Sequence, residues 1–369
     1  MKKGYYLYNE NCGSCGVNSK ISMQIAEFSK SMIIEGLQIE SIQQNFFQRI
    51  WNLSVFGSIA RDYEKVLNEL VDPDYIYMRR TYADKALMNF IRSIRVKYPN
   101  CKIVIEIPTY PYDKEMCAYW YTFLIFLKEW YYRKKYRKYV NRFVTYSDDE
   151  VIFGVATICT MNGISTDKVA MVEEVVEYNS MSINMLAVAL LAPHHGYERI
   201  IHGLHLYYKE NPARKVYFHV VGVGSELKKY KKLVNKFGLN EYVFFYGEKR
   251  GNELEELYKK ADVGLAAFGV YKDGFSKLST LKAREYIAKG IPVILGAEDD
   301  LFDNCRYGLT YPNDSSAVNI DRIVEFADKL YINRRKIDVA CEIRKFAENN
   351  ADNRVTLRPI IEYIVSEDE

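Results

Sequence analysis

The stretch KLSTLKAREYIAKGIPVIL, Lys277 to Leu295, holds the side chains best suited to chemistry. Lys282 and Glu285 stand three residues apart, the spacing that makes two side chains neighbours on one helix. Leu278, Leu281, Tyr286 and Ile287 fall near one helical face, and Gly290 followed by Pro292 forms a helix stop. Val293, Ile294 and Leu295 then read as a buried strand. A cation at the first turn of a helix, where unpaired backbone N–H groups already favour negative charge, can hold an anion such as a diphosphate. The carboxylate beside it can accept from hydroxyls. An ordinary amphipathic helix with an exposed ion pair has the same spacing, so spacing alone leaves both readings open.

Those side chains need a rigid frame, and the flanking sequence supplies one. From Asn184 onward, strands and helices alternate. MLAVALLA reads as a buried strand, and PHHGYERIIHGLHLYY as a loop entering a helix, with His195, Gly196 and Arg199 at its first turn. VYFHVVGVG is a strand ending in Gly222 and Gly224, YVFFYG one ending in Gly247, and Asp262–Phe268 a fourth. Such alternation builds a doubly wound parallel sheet, which binds ligands at the carboxyl ends of its strands.

The string S-x-L-K-x-x-E-Y-x-A-x-G-x-P-V-I, Ser279 through Ile294, resembles the donor-site signature of retaining glycosyltransferases of the GT-B fold. The order HGYER, GVG, VFFYG, ADVGLAAF, SxLKxxEY, GIPVI is similar to their donor domain. This resemblance implies an α/β protein of two Rossmann-like doubly wound domains facing across a cleft. It also implies a nucleotide diphosphate sugar as donor substrate, with no cofactor. Glu285 would contact the donor ribose, with Ser279, Leu281, His195, Gly196, Gly222, Gly224 and Gly247 in the donor site. His195 occupies a position where related enzymes frequently carry a lysine. No DxD pattern is evidently placed to hold a metal, so Lys282, Arg199 and Lys277 would compensate the leaving diphosphate instead. One departure is Lys277, where the commonest form of the signature has a glutamate. Retention also lets the departing phosphate take the acceptor proton. All five histidines lie between 194 and 219, so an inverting route would need a base such as Glu106, Asp113 or Glu115.

The first half of the chain reads as a second sheet. Gly4–Tyr8 is a strand, followed by the loop NENCGSCGVNSK with Gly13 and Gly16 and then a helix from about Lys20 to Glu35. Within that loop Cys12 and Cys15 form a lone CxxC, with no second pair to complete a zinc site. Lys102–Pro108 is a central strand emptying into TYPYDKE, which gathers Glu106, Tyr110, Tyr112, Asp113 and Glu115. An acceptor site is one reading of this loop and a rigid surface turn the other. EIPTYPYD and the later Asn162-Gly163-Ile164 resemble the acceptor half of bacterial polysaccharide glycosyltransferases. The expected division is an acceptor domain over 1–164, a linker over 165–182, and a donor domain over 183–348. Residues 349–369 are then expected to return as a helical segment to the first domain.

Composition narrows the classes. A net charge of +3 gives no general attraction for nucleic acid, and there is no run of 18 apolar residues. Seven scattered cysteines without an export signal fit a reducing, cytoplasmic setting. Residues 120–142 read as one helix whose second part, 128–142, carries seven Lys/Arg interleaved with Trp130 and four tyrosines. Such a helix suits peripheral contact with an anionic membrane at the inner face of the cell; a core helix with a solvated end has the same composition. The resulting expectation is transfer of a sugar to a glycan or lipid-linked glycan in surface polysaccharide biosynthesis. A nucleotide-sugar epimerase and a catalytically silent partner of another transferase remain alternatives.

Overall fold

The structure is a computed structural model that describes residues 1–9, 15–54, 56–117 and 120–366. In chain order the elements are β1 (Lys3–Asn9), α1 (Cys15–Phe28), β2 (Ile33–Ile39), α2 (Phe46–Leu53), α3 (Tyr63–Glu69), β3 (Tyr75–Arg79), α4 (Lys85–Lys97) and β4 (Lys102–Ile107). There follow α5 (Asp113–Met116), α6 (Trp120–Tyr132), β5 (Arg142–Thr145), β6 (Val151–Ile152), β7 (Val155–Cys159) and β8 (Ser182–Val188). Next come α7 (Glu198–Lys209), β9 (Lys215–Val221), α8 (Leu227–Phe237), β10 (Val243–Gly247), α9 (Asn252–Lys260), β11 (Val263–Leu265), α10 (Leu281–Ala288) and β12 (Val293–Leu295). The chain ends with β13 (Gly308–Thr310), α11 (Ile320–Tyr331), α12 (Lys336–Asn350), α13 (Asn353–Thr356) and α14 (Arg358–Val365). Two compact units result, residues 1–161 with 353–369, and residues 162–352.

The first unit is a seven-stranded sheet in the order β2-β1-β3-β4-β5-β7-β6, parallel except where β6 meets β7. The period-two rule sorts its core residues into two layers. Tyr75 and Tyr77 of β3 join Tyr6, Phe28 and Val104 on one face, and Leu357, Ile360 and Ile364 of the last helices cover that layer. Ile76 and Met78 point the other way, against Leu87, Ile91 and Ile94 of α4. Residues 120–142 are not one helix. The α-helix stops at Tyr132 and continues as a 3-10 turn over Arg133–Lys138. Tyr132, Arg133 and Tyr136 are buried there, because the turn packs inward on its aromatic residues.

The second unit is a six-stranded parallel sheet in the order β10-β9-β8-β11-β12-β13. The chain lays down β8, β9 and β10 outward on one side, then returns to place β11 on the other side of β8. The strand order thus reverses between β8 and β11, the switch point at which such sheets take ligands, and the loops leaving these two strands meet there, the Phe268 N–H donating to the His195 carbonyl at 2.8 Å. Residues 165–181 form no helix or strand, but they are strapped onto this unit. Asp352 accepts from the Thr166 N–H at 3.0 Å and from its hydroxyl at 2.6 Å, and Arg344 donates to the Val169 carbonyl at 2.6 Å. Among the described residues no helix is long and apolar enough to cross a membrane.

Candidate functional site

Helix α10 begins at the end of the loop that follows β11. Thr280 caps it, its hydroxyl accepting from the Ala283 N–H at 3.3 Å. The Tyr286 hydroxyl seats the helix on the end of β8, accepting from the Val188 N–H at 3.0 Å and donating to the Leu186 carbonyl at 3.1 Å. This fixes Lys282 in the first turn, and Glu285 one turn on. The Lys282 side chain is only partly open to solvent. Burial lowers its pKa to about 8, against the opposing attraction of Glu285. Among the described residues no hydrogen bond or ion pair engages its ammonium. Glu285 accepts from the Tyr258 hydroxyl at 3.0 Å, and among the described residues no other hydrogen bond engages its carboxylate.

His195 comes from the loop after β8. Its ring is buried, and burial, then the charge of Lys282 and the neighbouring His194, lowers its pKa to about 3. The imidazole is therefore neutral at neutral pH. Its Nδ1 accepts from the Ala192 N–H at 3.2 Å, so the remaining proton sits on Nε2 as a donor. The next residue, Gly196, has φ +59°, and a Cβ there would lie 2.4 Å from the Gly269 nitrogen. Only glycine lets the loops after β8 and β11 close on one another at that point. Gly222, after β9, is equally constrained, since a Cβ would lie 1.8 Å from the Ala189 carbonyl oxygen. Gly224 follows it, and the Gly247 carbonyl accepts from the Gly222 N–H at 2.6 Å.

Several expected site residues have other work. Arg199 is almost fully buried and donates to the carbonyls of Phe268, Pro312 and Ser316 at 2.9, 2.9 and 2.7 Å, with Asp314 at 3.4 Å. Four of its five N–H donors are taken by the protein, so it acts as a strut between loops rather than as a cation offered to phosphate. Lys277 pairs with Asp300, which offsets its charge. The Ser279 hydroxyl accepts from the Asn162 N–H at 2.9 Å, while its carbonyl accepts from the Asn162 side chain at 2.5 Å. Leu281 opens the helix and is partly buried.

On the acceptor side, Glu106 is fully buried within the first unit. It accepts from Lys20 and Gln24 at 2.9 Å, from Tyr77 at 2.7 Å and from Arg79 at 3.3 Å. Burial alone would raise its pKa, but Lys20 and Arg79, with the hydrogen bonds from Tyr77 and Lys20, bring it down to about 2. A carboxylate so held makes a poor base, and its role is to anchor the strand ends. Asp113 pairs bidentately with Arg133 at 2.6 and 3.1 Å. The buried Tyr112 donates to Glu129 at 2.7 Å and carries the Arg80 guanidinium over its ring. Tyr110, half-buried, packs edge-on against Tyr112. Cys12 and Gly13 lie outside the described residues, as does the Glu115 side chain; Gly16 falls in the first turn of α1.

Three partners were not anticipated from sequence: Tyr258 on Glu285, Asn162 on Ser279, and Asp299. Asp299 pairs with the buried Arg284, whose Nε donates to the Asn162 carbonyl at 3.0 Å. Thr280, one residue before the helix and three before Ala283, was the available signal that the helix is capped by its own chain.

Residues 173–301, which include Lys282, Glu285 and His195, match the family described as glycosyl transferases group 1. No curated protein sequence is significantly similar to the chain. Among solved structures, Anabaena HepE in complex with UDP is similar with a TM-score of 0.66 and 13% identity, over 99% of this chain and 100% of that one. The lipopolysaccharide outer core galactosyltransferase WaaB, in its apo form, is similar at 0.60 and 15% identity, over 99% of each chain. Sucrose-phosphate synthase from Thermosynechococcus elongatus is similar at 0.63 and 12% identity, over 99% of this chain and 97% of that one. These likenesses define the fold class, which is GT-B.

Proposed function

We propose that the chain is a cytoplasmic glycosyltransferase that moves a sugar from a nucleotide diphosphate sugar to a glycan or lipid-linked glycan, as in surface polysaccharide assembly. The observation that carries this reading is Lys282, a partly buried ammonium that no hydrogen bond or ion pair engages among the described residues, held at a helix N-terminus. Charge removed from water is costly until an opposite charge completes it, and the first turn of α10 adds its own attraction for an anion. Two phosphates meet both requirements. Support comes from the family match over residues 173–301, and from structural neighbours solved with UDP and with UDP-glucose.

In this reading the Glu285 oxygen left open by Tyr258 accepts from the ribose hydroxyls. As the bond from the anomeric carbon to the phosphate oxygen breaks, negative charge grows on the diphosphate. Lys282 and the His195 Nε2–H stabilise it in a site shielded from water, without a metal ion. The acceptor hydroxyl enters on the face the diphosphate leaves, and a departing phosphate oxygen takes its proton. Configuration is retained and no protein base is required, which accords with Glu106 being locked away. Glu285→Gln should weaken binding of nucleoside diphosphates by about 1–3 kcal/mol, the usual cost of a charge-assisted hydrogen bond. Calorimetry against a panel that includes UDP tests this. Unchanged affinity for every nucleotide the wild type binds would contradict it.

A further inference from the structure

Helix α2 wears its apolar face outward. A surface helix of a globular unit ordinarily turns that face to the core. Here Phe46, Phe47, Ile50 and Trp51 lie along one side of the helix and are 70%, 80%, 53% and 62% exposed. The helix buries none of its residues. It is firmly built even so. Asn45 and Gln48 form a reciprocal capping box at its start, and the buried Lys128 of α6 donates to the Asn52 carbonyl near its end. On α6, Phe123, Leu127, Trp130 and Tyr131 are also exposed, at the i, i+4, i+7, i+8 spacing of one helical stripe.

Charge selects the occupant of this surface. Residues 41–61 contain no acidic residue, and 120–142 contain only Glu129, which is buried. Lys134 lies over the Trp130 ring at 3.7 Å, and Lys134, Arg137 and Lys138 are exposed beyond it. An outward apolar helix, aromatic side chains at its flank and a basic turn whose own segment exposes no acid form the pattern of a segment lying in the interface of an anionic bilayer. We propose that the first unit docks on an anionic lipid leaflet by inserting Phe46, Phe47, Ile50 and Trp51, with Lys134, Arg137 and Lys138 against the headgroups. The inserting element is thus α2, while the basic turn after α6 supplies attraction. This deepens the lipid-linked acceptor reading and rests on it for its purpose, since it brings the enzyme to the surface where such an acceptor lies.

Co-sedimentation of the full chain with phosphatidylglycerol–phosphatidylcholine vesicles, against pure phosphatidylcholine, tests the proposal. Wild type should pellet with the anionic vesicles, less so as salt screens the headgroups. The variant Phe46→Ser/Phe47→Ser/Trp51→Ser should bind at least tenfold more weakly. Lys134→Ser/Arg137→Ser/Lys138→Ser should lose the preference for anionic vesicles. Because α2 buries nothing, the first variant should keep the wild-type melting curve and nucleoside-diphosphate affinity, so failure at the membrane is separable from failure of the donor reading. Equal pelleting of wild type and both variants overturns the proposal. So does a concentration-dependent wild-type dimer in light scattering that the first variant abolishes, since that would give the face to a second copy of the chain.

Discussion

Lys282→Ala is expected to lower kcat by about 100-fold or more, the usual loss when a group that stabilises developing charge is removed. Its thermal midpoint should hardly move, because the ammonium has no hydrogen bond or ion pair among the described residues to lose. The pH profile gives an independent reading of the same side chain. With a pKa of about 8 in the free protein, Lys282 is charged below that pH and neutral above it. The logarithm of kcat/KM should therefore fall as pH rises through about 8, since this ratio reports groups of the free enzyme. Lys282→Arg, which keeps its charge at any accessible pH, should remove that falling limb even if its wider guanidinium lowers the maximum rate. A Lys282→Ala protein with wild-type kcat would mean the ammonium is only a neighbour of the helix end.

Arg199→Ala should cost about 3–5 kcal/mol of folding stability, because it leaves three carbonyls without their donor at roughly 1–3 kcal/mol each. The guanidinium holds three carbonyls from two different loops and lies over the Phe268 ring. Arg199→Lys should recover little, because one ammonium cannot span the fork that the planar group fills. Urea unfolding of the second unit's signal checks this, provided wild type and variant share one slope. A loss under about 1 kcal/mol accompanied by a large fall in kcat would return Arg199 to the catalytic machinery.

Both doubly wound sheets were legible because buried parallel strands leave dense apolar runs, as KIVIEIP and VYFHVVGVG do. The donor helix was legible through its stop at Gly290 and Pro292. What sequence could not separate was the use of its charged residues. Arg199, Lys277 and Lys282 are all cations in the donor half of the chain, and only the folded arrangement shows that two are engaged by protein partners while, among the described residues, no hydrogen bond or ion pair engages Lys282. The place of Glu106 at a strand end makes it a candidate base for an inverting route; its four donors come from residues 20, 24, 77 and 79, too dispersed to be seen along the chain. The basic composition of 128–142 does not reveal that Lys128, Glu129, Tyr132, Arg133, Tyr136 and Val140 are buried, nor that α2 exposes its apolar side. Periodicity reveals that a helix has an apolar side but not which way that side is turned.

The most direct test is to incubate the protein with a panel of nucleotide diphosphate sugars and follow nucleotide and sugar by mass spectrometry, wild type beside Lys282→Ala. Wild type should release a nucleoside diphosphate from at least one donor, by transfer or slow hydrolysis, and Lys282→Ala should release it at least about 100-fold more slowly. Interconversion of donor sugars without diphosphate release, or no consumption of any donor, would contradict it.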